Sequence, residues 1–215
     1  MTYVIAGLHG SLEKYESLKK KAGIKDTDTV YVVGGIAEDD LSLLDELSMC
    51  ANVYPVMAKP DLTALKMLGG FDRMLRDGSS PTPEFIAEMQ AWMTEGGQSV
   101  LEAFRELDAD SREGVLDYLS DFTCFEEAEL GGKSYLLLSS GIADFDRNAD
   151  LYELEPSAFT EAPLVLENTY YTNKTIITAD AGIDCASVVR ANNNICIGCR
   201  SAVALRLDDL SEFYA

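Results

Sequence analysis

The side chains able to do chemistry in this chain sit in short stretches that each follow an apolar run. His9, the single histidine, stands in Ala6-Gly7-Leu8-His9-Gly10, and Glu38-Asp39-Asp40 follows the glycine pair Gly34-Gly35. Lys59-Pro60-Asp61, Ser139-Ser140-Gly141 and Asp180 close three further runs. Carboxylates are the ligands hard cations prefer, so His9 with Glu38, Asp39, Asp61 and Asp180 is one candidate oxygen-rich site for Mg or Mn. A lone neutral imidazole without such neighbours is a weak metal site. A second arrangement pairs His9 and Lys59 as cationic donors beside exposed N–H groups at helix starts, which would hold a small anion without hydrolysing it. Asp180 either joins His9 as a ligand or pairs with Lys59, and the pairing is expected because a buried charge needs a partner. One histidine leaves no spare base for a Ser or Cys nucleophile, and Ser139-Ser140-Gly141 lacks the nucleophile-elbow pattern. Neither dinucleotide nor P-loop glycine spacing occurs. Cys196-x-x-Cys199 lies in an apolar run without a second pair to complete a zinc site, which makes it structural.

Those stretches need strands and helices to position them. Residues 3–6, 29–33 and 52–57 are β-rich runs separated by helical periodicity: Leu12, Tyr15, Leu18 and Ala22, then Leu41, Leu44 and Leu47. Ser11 suits an N-cap, and Asp39-Asp40 suits the positive start of the second helix. This βαβαβ opening predicts a parallel sheet whose strand C-terminal ends share one edge, where sites of open α/β sheets lie. Helices are expected over 63–75, from Thr82-Pro83 to about 94, over 99–107 and over 111–120, with a break at Gly96-Gly97. Trp92, the only tryptophan, is expected to pack in the core. Gly131-Gly132 joins 124–130 to 133–139 as a hairpin. An irregular segment, 143–173, precedes strands at 175–178, 195–198, 202–207 and 212–214. No repeat, low-complexity tract or clear linker divides the chain, so one domain over 1–215 with a helical insertion at about 62–121 is the simplest organisation.

In order and spacing these stretches resemble the calcineurin-like metallophosphatases, in particular the bacterial serine/threonine-phosphatase branch. That family reads Gly-Asp-x-His-Gly after strand one, where this chain has Ala6-Gly7-Leu8-His9-Gly10. Its Gly-Asp-x-x-Asp-Arg-Gly corresponds to Gly34 through Asp40, and its Gly-Asn-His-Asp/Glu to Ala58-Lys59-Pro60-Asp61. Trp92 to Ser99 is similar to its Trp-x-x-x-Gly-Gly-x-Thr segment, Ser139-Ser140-Gly141 to its His-Ala-Gly, and Ile177-Thr178-Ala179-Asp180 to its Gly-His-Thr-Pro. The resemblance covers nearly the whole chain. It implies a four-layer αββα sandwich with two mixed β-sheets flanked by helices. It also implies that the two-metal centre has been dismantled. Gly7 and Gly35 replace the first and the bridging Asp, Lys59 the Asn ligand, and Pro60 the catalytic His. Ser139 and Asp180 replace the two late His ligands, and Asp39 the phosphate-contacting Arg. His9 and Asp61, the carboxylate that would orient the catalytic His, remain. Two cations held a few ångströms apart need that ligand set. An ammonium at position 59 repels a metal, and Pro60 has no side chain that transfers a proton.

The chain carries 37 acidic and 17 basic residues, a formal net charge of -20. Such a surface repels nucleic acid and anionic membranes. It serves solubility first, with a docking face for a basic partner as the sharper alternative. No apolar run is long enough to cross a bilayer, and no basic region precedes the first strand, so a cytoplasmic protein is expected. The odd count of five cysteines fits reduced thiols. The functional expectation is a catalytically inactive metallophosphatase homologue that binds a protein partner or a small anionic ligand. No cofactor is expected. The alternative is a divergent metal-dependent phosphoesterase whose rebuilt site takes Mn, Fe, Zn or Mg.

Overall fold

The computed structural model describes residues 1–184, 186–198 and 200–215. Cys185 and Cys199 lie outside the described residues, and with them the Cys196-x-x-Cys199 reading; Cys50 and Cys124 carry free thiols.

The first three apolar runs become the parallel strands β1 (Thr2–Ala6), β2 (Thr29–Val33) and β3 (Val53–Val56). Their Val, Ile, Tyr and Thr side chains suit a pleated surface covered on both faces, so the runs are nearly continuous rather than alternating. Helices α1 (Leu12–Ala22) and α2 (Ser42–Ser48) connect them, and the Ser11 hydroxyl accepts the Lys14 N–H at the start of α1. The middle of the chain is helical: α3 (Lys59–Asp77), α4 (Pro83–Trp92), α5 (Gln98–Glu106) and α6 (Ala109–Ser120). Five strands follow: β4 (Phe125–Leu130), β5 (Lys133–Leu138), β6 (Lys174–Thr178), β7 (Val189–Ala191) and β8 (Asn194–Cys196). They form a second mixed sheet in the order β4-β5-β6-β8-β7. Strands β9 (Val203–Arg206) and β10 (Glu212–Tyr214) return to the first sheet, which reads β10-β9-β1-β2-β3.

Side-chain alternation along each strand separates three cores. Tyr3, Ile5, Val30 and Val32 face the helices and pack with Leu43, Leu47, Leu68, Trp92 and Phe104. Val4, Ala6, Val33, Val203 and Leu205 face the other way and meet Tyr135, Leu137, Ile177 and Ile195 of the second sheet. The outer face of that sheet, Leu136, Leu138 and Ile176, is covered by Phe159, Leu164 and Leu166 from the irregular segment. That segment holds one short helix, α7 (Ser157–Thr160), and a 3₁₀ turn (Leu151–Glu153). The buried Asn194 side chain pins it to the sheet by donating to Leu166 O and Asn168 O, both at 2.8 Å. The architecture is the expected mixed α/β sandwich, with two five-stranded sheets packed face to face.

Two elements differ from expectation. Helix α3 begins at Lys59 rather than 63, because Pro60 is tolerated in a first helical turn and Asp61 caps that turn. The expected break falls at Gly96, whose φ of +118 is not helical, and the turn Met93–Gly97 joins α4 to α5 across that kink. Gly97 is needed there, since a Cβ on it would lie 2.2 Å from the Trp92 ring. Strand β7 was not expected. Its three residues pair with β8 across Asn192-Asn193, and Asn192 adopts φ +50, a conformation Asn accepts more readily than most residues.

Candidate functional site

Parallel register brings the C-terminal ends of the strands level: Ala6 beside Val33, Val33 beside Val56, and in the second sheet Leu138 beside Thr178 beside Cys196. The loops leaving both sheets at that edge enclose two neighbouring cavities. The smaller, about 270 Å³, is lined by Gly7, His9, Gly34, Gly35, Glu38, Ala58, Ser139, Asp180 and Gly198. The larger, about 700 Å³, is lined by His9, Glu38, Asp39, Lys59, Pro60, Trp92, Glu95 and Ser99 among others. His9 and Glu38 border both.

His9 sits at φ +50 in the β1–α1 turn, half-exposed, and its Nδ1 is 2.7 Å from Glu38 Oε2. The Glu38 carboxylate raises the imidazole pKa above its usual 6.5, against a smaller opposing effect of burial. Because the chain has one histidine, a proton NMR titration reads this pair directly. The expected midpoint lies above 6.5 and drops in Glu38→Gln; an unchanged midpoint in that variant means the contact is not formed in solution.

Lys59 does not pair with Asp180. Its ammonium lies 3.2 Å from Glu161, a residue 102 positions away on the irregular segment, so the expected Lys59–Asp180 pair is corrected. Asp180 instead accepts the Gly182 N–H at 2.8 Å and lies 3.4 Å from the Ser140 hydroxyl, which itself donates to Ala162 O at 2.7 Å. Ser139 reaches Phe159 O only at 3.5 Å. Each cation expected to receive an anion is therefore already facing a carboxylate.

Asp61 lines neither cavity. It is fully buried behind them, where Oδ1 accepts the N–H groups of Ile36 and Ala37, both at 2.9 Å, and Oδ2 accepts that of Ala58 at 3.0 Å. Burial pushes this carboxyl up to about 6, while the three N–H donors pull it down. Its oxygens tie the β2–α2 loop to the start of α3, so it positions the cavity wall and points no ligand into the cavity.

The glycine positions decide how far the residues present suit a two-metal centre. At Gly7, φ is +76, and a Cβ would lie 2.7 Å from Gly198 O and 2.8 Å from Ser201 O. Gly198 is in turn closed by Ala6 and Gly7 N at 2.7 Å. The two backbones approach where a longer side chain would start, so position 7 has no room for a carboxylate. At Gly35, φ is +65 and the Glu38 carboxylate stands 3.4 Å from a Cβ position, filling the space of the missing side chain. Among the described residues, no three His, Cys, Asp or Glu side chains come together in a group able to hold a metal ion. The residues at this edge thus do not fit a two-metal ligand set.

Sequence reasoning did not single out Gly198 or Glu161 as site residues. Gly198 carried a signal, being a glycine that ends an apolar run as Gly7 and Gly34 do. Glu161 carried none.

No protein-family model and no curated protein sequence matches this chain. A solved structure described as a "putative diadenosine tetraphosphatase" superposes with a TM-score of 0.62 at 13% identity, covering 100% of this chain and 92% of that one. A hypothetical protein from Pyrococcus horikoshii OT3 superposes with a TM-score of 0.53 at 14% identity, covering 100% and 87%. The fold is a metallophosphatase-like sandwich. At these identities the likeness carries the architecture and not the chemistry. Among the described residues no helix is long and apolar enough to cross a membrane.

Proposed function

We propose that this chain is a member of the calcineurin-like metallophosphatase superfamily that has exchanged two-metal hydrolysis for binding, a pseudophosphatase whose strand-end cavities receive a partner or ligand. The carrying observation is the closed backbone at Gly7, where Gly198 and Ser201 carbonyls stand 2.7 and 2.8 Å from the place a side chain would begin. Supporting it are Lys59 and Pro60 in the first turn of α3, where the resemblance aligns a metal ligand and a proton-transferring His. The test is elemental analysis after incubation with Mn, Zn, Fe and Mg and removal of the excess, beside a panel of phosphomonoesters and phosphodiesters. The expected result is metal near zero and no turnover. One or two tightly held ions per chain, with turnover lost in His9→Ala, overturn the proposal. That outcome would instead support a divergent phosphoesterase, a reading favoured by His9, Glu38 and Asp180 lining one cavity.

A further inference from the structure

The larger cavity has a volume of about 700 Å³, within the range of small-ligand and side-chain pockets. Its charge is unlike that of a phosphate site. Lys59 is held by Glu161 and His9 by Glu38, whereas Asp39 and Glu95 line the cavity with exposed side chains and no ion pair among the described residues. A second, independent feature lies in its wall. Trp92 is 8% exposed, is backed by Gly97, and faces the same cavity. Among the described residues its indole N–H has no acceptor, although the indole nitrogen is not one of the sealed-off polar atoms. Indole N–H groups in buried tryptophans ordinarily find a partner. The cavity wall therefore holds one unpartnered donor and two carboxylate acceptors, and an occupant that matches them presents a carbonyl oxygen close to a cation.

We infer that this cavity is a docking site for an arginine- or lysine-bearing peptide segment of a partner protein, with Asp39 and Glu95 taking the cation and the Trp92 indole donating to a main-chain carbonyl. The aromatic wall adds a cation–π surface. The net charge of -20 on the whole chain steers a basic partner toward it and an acidic one away. The inference rests on the proposal that this edge binds rather than hydrolyses.

Trp92 is the only tryptophan and so reports on its own cavity. The full chain is titrated with a capped peptide of glycines around a central arginine, following indole fluorescence and the indole N–H resonance. Parallel titrations use the same peptide with glutamate in place of arginine, spermidine, and inorganic phosphate. The arginine peptide is expected to saturate, to shift the indole resonance, and to bind more weakly as salt rises. The double variant Asp39→Asn/Glu95→Gln is expected to bind it about tenfold more weakly with an unchanged unfolding midpoint. The inference is overturned by the absence of any saturable shift up to millimolar arginine peptide, or by equal binding of the glutamate peptide or of phosphate. Spermidine binding as tightly as the peptide overturns it too, since a polyamine has no carbonyl. Failure of the peptide in a protein without metal or turnover removes this ligand and leaves the non-hydrolytic reading in place. Stoichiometric metal with turnover removes both.

Discussion

Replacing Asp61 by alanine is expected to destabilise the protein by about 3–5 kcal/mol, a large share of the roughly 5–15 kcal/mol that holds a domain folded. The variant leaves the buried N–H groups of Ile36 and Ala37 and the part-buried N–H of Ala58 without their acceptor. Each unsatisfied buried donor costs about 1–3 kcal/mol, and relaxation of the β2–α2 loop recovers part of the sum. Asp61→Asn is the informative companion, because its Oδ1 still accepts from Ile36 and Ala37 while its NH₂ group faces the Ala58 N–H. It should fall between wild type and alanine in urea unfolding. The pH dependence has a definite sign. The folded carboxyl titrates at about 6, above the ordinary 3.8, so between those values the native state binds more protons than the unfolded chain. Asp61's contribution to stability is therefore largest below pH 4 and declines as pH rises through 6. Asp61→Asn should remove that part of the slope. Equal slopes for the two proteins would show that Asp61 does not titrate in this window.

The second large effect concerns position 7. Restoring the carboxylate that the metallophosphatase resemblance places there, by Gly7→Asp, is expected to cost about 2–4 kcal/mol and to recover no metal binding. The cost has two sources, a side chain at φ +76 and a Cβ 2.7–2.8 Å from two carbonyl oxygens that belong to backbone and cannot swing away. Gly23→Ala separates them. Gly23 has φ +67 with nothing within 4 Å of its Cβ position, so its substitution carries the left-handed strain alone, about 1 kcal/mol. Gly7→Ala should lose clearly more than Gly23→Ala in paired urea unfolding curves. If the two lose the same amount, the carbonyls of Gly198 and Ser201 are not closed against position 7, and the observation that carries the proposed function is gone.

Both effects arise at the sheet edge, and they show different limits of sequence reading. Asp61 was legible as a residue of the site because its place in Ala58-Lys59-Pro60-Asp61 matched a family pattern. Its role was not legible, since the N–H groups it accepts from belong to a loop about 25 positions away. Lys59 shows the same limit. A partner for its charge was expected, but Glu161 and Asp180 lie on different loops, and only the folded chain brings Glu161 within 3.2 Å of the Lys59 ammonium.

Legible in the sequence were the order of the strands and helices apart from β7, the parallel opening, the hairpin at Gly131-Gly132, and the residues that follow the first three strands. Those features are local: apolar period, caps and turn glycines act over a few residues and need no partner elsewhere. That the residues aligned by the metallophosphatase resemblance, His9 apart, differ from its metal ligands was equally readable, because a side chain's chemistry is written at its own position. Folding alone closes Gly7 against Gly198, sets Glu38 beside Gly35 and against His9, and makes Trp92 part of a cavity wall with Asp39 and Glu95. Glu38 beside Gly35 and Glu95 beside Trp92 apart, these relations join segments separated by tens to nearly two hundred residues. Their geometry is set by the register of two sheets and the packing between them, to which no single segment holds the key.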